Sequence, residues 1–149
     1  MANHLRRQIR EAVATAVTGL ATTGSRVFQS RVYPLQDSEF PALLVYTLGE
    51  VVGQGSMPAP RWQERTVRLQ VLAVARADAD VDDTLDQICK EVEVALAMPC
   101  AALAGIAQMI TLVSTDIEMQ GTDAQPVGQA ALTYEVLYMA AENAPDVAH

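Results

Sequence analysis

Five aspartates, Asp78, Asp80, Asp82, Asp83 and Asp86, crowd the stretch "DADVDDTLDQIC". Acids alternating in this way match a calcium loop over its first three liganding positions. The stretch then departs from that pattern, because Asp83 and Thr84 stand where the loop needs its glycine and no bidentate glutamate closes it. At the head of a helix the same acids are expected to cap it and to face the positive end of its macrodipole. Cys89 and Cys100 have ten residues between them and form no CxxC, and the only histidines, His4 and His149, stand near the two ends, where chains usually fray. A Ser/His/Asp or Cys/His set needs an ordered histidine. No catalytic set, metal or cofactor is therefore expected, and Cys89 reads as a small buried hydrophobe on a helix.

Charge narrows the partners. The 149 residues carry a net charge of −8. Residues 1–31 hold five arginines against Glu11, whereas the remaining 118 residues hold five basic and 17 acidic groups. An acidic bulk with a single lysine, Lys90, argues against gripping nucleic acid through its phosphates. Half of the residues are hydrophobic, yet no apolar run reaches the length of a membrane span, and "MANHLRRQIREAV" lacks the features of a secretory signal. A cytoplasmic protein is expected.

The elements that carry these residues follow from periodicity. Leu5, Ile9, Val13, Val17 and Leu20 recur at helical spacing, so residues 4–21 read as an amphipathic helix with Arg6, Arg7 and Arg10 on its other side. The arginines occupy its first half, the unfavourable end for cations, which makes them candidates for docking a partner. Pro41 then precedes "ALLVYTL", a strand apolar on nearly every position, with proline tolerated at a strand's first residue. A strand apolar on both faces is expected to lie under helices on one side and under another cover, such as a second subunit, on the other.

"GEVVGQGSMPAP" reads as a mobile loop of about a dozen residues, carrying Val51, Val52 and Met57 as subunit-interface candidates. Trp62, at the base of the returning strand "RWQERTVRLQVLAVARA", is a fourth, because tryptophan is enriched at interface anchors. That strand alternates with Val67, Leu69, Val71 and Ala73 on one face and is expected to pair antiparallel with the one before it. A second helix carries Val81, Leu85, Ile88, Val92, Ala95 and Leu96 as its stripe. Two more strands follow, "MITLVSTDIEMQ" and "GQAALTYEVLYMAA", joined by "GTDAQPV". The sum is one α+β domain over residues 1–141, a mainly antiparallel sheet of four to five strands with two helices packed on one face, then a disordered tail over residues 142–149.

In this order the segments "LRRQIREAV", "DSEFPALLVYTLGE", "WQERTVRLQVLAVA" and "ALTYEVLY", with the acid-led helix between the last two, resemble the tail terminator proteins of long-tailed phages, the lambda-type minor tail protein U family. The resemblance covers about residues 5–140. The proline-bearing "MPAPRW" and the segment after Ala141 depart from it. It implies a structural virion protein located at the head-proximal end of the tail: a homo-hexameric ring that caps the tail tube, stops its growth and offers a head-tail joining surface. The implied partners are other copies of the chain, the major tail tube protein, the neck or connector protein and the tape-measure protein, with DNA passing through the lumen unbound. Two rivals remain open at this stage, a tail-tube or neck subunit and a small-molecule-binding α+β domain whose site would be lined by Asp78 to Asp86.

Overall fold

A computed structural model describes residues 2–29, 35–76, 79–120 and 127–149. The elements run α1 (Leu5–Ala16), β1 (Val27–Gln29), a short 3-10 turn (Asp37–Glu39), β2 (Ala42–Gln54), β3 (Trp62–Arg76), α2 (Val81–Leu96), a second 3-10 turn (Ala101–Leu103), β4 (Met109–Gln120) and β5 (Val127–Ala141). The strands form a single sheet in the order β1-β2-β3-β5-β4. All neighbours pair antiparallel except β1, which lies parallel to β2 through Val27↔Leu43 and Gln29↔Val45.

Both helices cover one face of this sheet. Leu5, Ile9, Val13 and Val17 from the first helical segment meet Leu85, Ile88, Val92 and Leu96 of α2 over Leu43, Val45, Val67, Leu69, Val71, Leu132 and Tyr138. The α+β architecture expected from periodicity is the one observed. On β5 the alternate residues Ala130, Leu132, Tyr134, Val136 and Tyr138 are all buried, as their spacing of two requires.

α1 ends five residues earlier than periodicity predicts. Gly19, at φ +87°, and Gly24, at φ +56°, bond to one another through Gly19 N–H→Gly24 C=O, so the chain turns where a left-handed backbone suits only glycine well. The turn is tied to α2, because the Thr22 hydroxyl and N–H both donate to the Glu91 carboxylate. Burial works to raise that carboxyl, but the Thr22 and Gln87 hydrogen bonds outweigh it and hold Glu91 below its usual range.

Pro41 stands one residue before β2, as its missing N–H predicts. The second face of β2 is covered differently from expectation. Ala42, Leu44 and Val74 bury against Phe28, Leu35 and Phe40 of the same chain, with the Arg76 guanidinium over the Phe40 ring at 4.4 Å. No second subunit is needed there.

Two further expectations are corrected. The long loop after Gly49 is largely strand, since β2 and β3 stay paired out to Gln54↔Gln63 and Gly55 N–H bonds Trp62 C=O. A bulge with Leu48 as the extra residue precedes Gly49, and Gly53 pairs in register with Glu64, so neither glycine breaks the ladder. Residues 142–149, expected to be disordered, fold back on the domain: Leu5 N–H donates to Pro145 C=O, the Gln8 amide to Asp146 C=O, and His149 N–H to Met139 C=O. They hold because they satisfy the free N–H at the start of α1 and place Ala148 against the core.

Candidate assembly surfaces

Where β2, β3 and β5 extend together beyond the helices they form an arm, and a polar cluster holds its base. Period two puts Glu50, Arg65 and Tyr138 on the helix-facing side of three adjacent strands, through Val67↔Glu50 and Arg65↔Tyr138. The Glu50 side chain is 6% exposed and accepts from Arg65 Nη1 at 3.2 Å, from Arg6 Nη1 at 3.0 Å and from the Tyr138 hydroxyl. Arg65 is also held by Gln63 at 2.6 Å. Burial, then the hydrogen bond to Glu50, pushes the Tyr138 phenol well up, which favours its protonated, donating form.

His4 completes this joint. Its Nδ1 accepts from Arg6 N–H at 3.1 Å as the N-cap of α1, and its Nε2 lies 3.4 Å from Arg65 Nη1. Burial and the neighbouring Arg6 charge lower its pKa, with Glu50 and Asp146 opposing. Neither histidine frays: His149 stacks on Trp62 with ring centroids 3.5 Å apart. Beside them Arg61 N–H and Nε both reach the Glu142 carboxylate at 3.1 Å, which holds that carboxyl below its usual range.

The candidate interface residues thus divide. Met57, 92% exposed, caps the tip between β2 and β3, while Val51 and Val52, 69% and 43% exposed, lie on β2 itself with opposite orientations. Trp62 is half-buried, stacks on His149 and holds the far end of the arm, where its C=O accepts from Gly55 N–H. The candidate docking arginines divide as well. Arg6 is committed to Glu50, Arg7 pairs with Glu11 one turn on at 2.7 Å, and Arg10 reaches the Gln29 amide oxygen at 3.4 Å. Arg7 and Arg10 remain at the surface.

Sequence reasoning missed the Glu50 cluster. The signal was available: Glu50 is an acid inside an apolar run, and Arg65 shares the parity of Val67, Leu69 and Val71, so alternation alone places it on the buried face. It also missed β4 as a surface. β4 is an edge strand on which Met109, Val113, Ile117 and Met119 are each 46–52% exposed.

The acids of α2 do less than their density implies. Asp80 is the N-cap but makes no side-chain capping bond, Asp82 and Asp83 lie in the first turn, and Asp78 lies outside the described residues. Among the described residues no three His, Cys, Asp or Glu side chains gather as a metal set, and no helix is long and apolar enough to cross a membrane. Cys89 is buried on α2, and burial pushes its thiol up to about 11. The uncovered sheet face holds a shallow cleft of about 370 Å³ among Gln70, Leu72, Asp116, Glu118 and Gln129.

Geometry therefore defines an α+β domain with one face sealed by its own helices and its exposed apolar residues gathered largely on strand edges, an arm tip and the end of α2. No protein-family model matches the chain, and no curated protein does. Among solved structures it is similar to a chain in the virion of a native gene transfer agent particle, at TM-score 0.41 and 16% identity, covering 92% of each chain. A likeness that low leaves function to be argued from the chain itself.

Proposed function

We propose that this chain is a structural virion protein of the tail terminator kind, a ring-forming subunit that caps a tail tube and joins it to the head. The observation that carries the reading is the position of the exposed apolar side chains. Leu48 and Val51 on β2, Met57 at the arm tip and Met109, Val113, Ile117 and Met119 on β4 lie at the rims of the sheet, exposed among the described residues where another chain would cover them. The sequence resemblance supplies the family and the six-fold ring. The acidic open face, with Glu64, Asp116, Glu118 and Glu135 against Arg68, suits a lumen through which DNA slides without binding.

Arg7 and Arg10 supply a docking patch that a ring repeats around one rim. Each exposed ion pair contributes only about 0.2–1 kcal/mol, but repetition around a closed ring makes the sum decisive and salt-sensitive. Arg7→Glu with Arg10→Glu is expected to leave the ring assembled and to produce overlong or headless tails when it replaces the wild type in the parent virion. Normal tail lengths and full infectivity from that variant would count against the docking role. A tail-tube subunit gives a different result, since it would polymerise without limit rather than close.

A further inference from the structure

β2 and β4 are long edges that the sheet leaves open. β1 pairs with β2 only at Leu43–Val45, and among the described residues no strand pairs with the outer side of β2 beyond Val45 or with the outer side of β4. Open edges of this length present rows of N–H and C=O groups that readily add another strand. Four features match the two edges to each other.

The first is height on the sheet. Following the pairing across, Thr47 meets Leu69, Leu69 meets Tyr134 and Tyr134 meets Leu112, while Val51 reaches Met109 through Thr66 and Leu137. Thr47–Val51 and Met109–Leu112 therefore occupy the same level on opposite sides of the molecule. The second is shape: each edge carries one bulge next to the Thr47–Leu112 row, with Leu48 the extra residue on one side of it and Val113 the extra residue on the other. The third is chemistry, because Leu48 is 50%, Val51 69%, Met109 52% and Val113 46% exposed. The fourth is direction. β2, β3, β5 and β4 alternate, so β4 runs opposite to β2, and a copy rotated about an axis along the strands brings its β4 antiparallel to β2 at unchanged height.

We propose that the β2 edge of one copy takes the β4 edge of a second copy, so that the sheet continues from subunit to subunit through a heterologous contact. The contact rests on the ring reading for its closure but not for its existence.

Mixing tests it. Lysine on an exposed edge blocks strand addition, so Leu48→Lys with Val51→Lys disables one edge and Met109→Lys with Val113→Lys the other. Each variant alone is expected to sediment as a monomer, and an equimolar mixture as a heterodimer, because one good edge remains on each. Should either lysine pair unfold the domain, single cysteines take its place: Val51→Cys copies mixed with Met109→Cys copies are expected to cross-link to each other and not to themselves, with Cys89 and Cys100 buried out of reach. Rings that persist in both lysine variants, or cross-links between like copies, would overturn this contact and leave the ring reading standing. A wild type that stays monomeric at millimolar concentration would remove both.

Discussion

At the scale of single residues, Glu50 and Arg6 are partners with very different stakes. Glu50 is buried against Arg65, so truncating it leaves a guanidinium with 10% exposure and no counter-charge, the situation in which losing one partner costs about 3–5 kcal/mol. Arg6 is 41% exposed, and its loss is expected to cost no more than about 1 kcal/mol. Urea unfolding of Glu50→Ala and Arg6→Ala checks the contrast, and equal losses would show that Glu50 is not the hub of the joint. His4 adds a pH dependence. Its folded pKa lies below the ordinary 6.5, so the unfolded chain binds the proton more readily and stability falls as pH drops from about 6.5 through the folded value. As pH falls through that window the melting temperature of the wild type should drop relative to that of His4→Asn, because asparagine can cap α1 without taking up a proton. Parallel curves would contradict this. Neither histidine was legible beforehand: His4 is held by Arg65 from across the sheet and His149 by a fold-back of residues 142–149, contacts that no local pattern encodes.

At the scale of elements, Gly128 sets how closely α2 approaches β5. A Cβ there would lie 2.5 Å from Val81 Cγ2 and 3.2 Å from both Leu85 Cδ1 and Met119 Sδ. Gly128→Ala is expected to destabilise by about 1–3 kcal/mol through overpacking, measured by thermal or urea unfolding. An unchanged midpoint would mean that the helix can shift outward freely. The helices and strands themselves were readable because both apolar stripes and the alternation on β3 and β5 are strong and continuous. The arm was not. Gly49, Gly53, Gly55, Pro58 and Pro60 read as a loop, yet a bulge at Leu48 and pairing out to Gln54↔Gln63 override local propensity. Val51 and Val52 are exposed, on a strand rather than in the loop that local propensity predicts.

At the scale of the whole molecule, the proposed ring requires other copies to cover the apolar side chains that the domain leaves at its rims. Its helices seal one face, its own Phe28 and Phe40 seal a corner of the other, and what is left apolar lies largely at the rims. Burying each exposed aliphatic side chain is worth roughly 1.5–3 kcal/mol before the cost of association, so a few per subunit suffice to hold a ring. The most direct measurement is class-averaged electron microscopy of the purified protein beside Val51→Asp with Val52→Asp. The account predicts closed rings of six copies with an open lumen for the wild type and folded monomers for the variant. Monomers or unlimited filaments from the wild type, or intact rings from the variant, would contradict it.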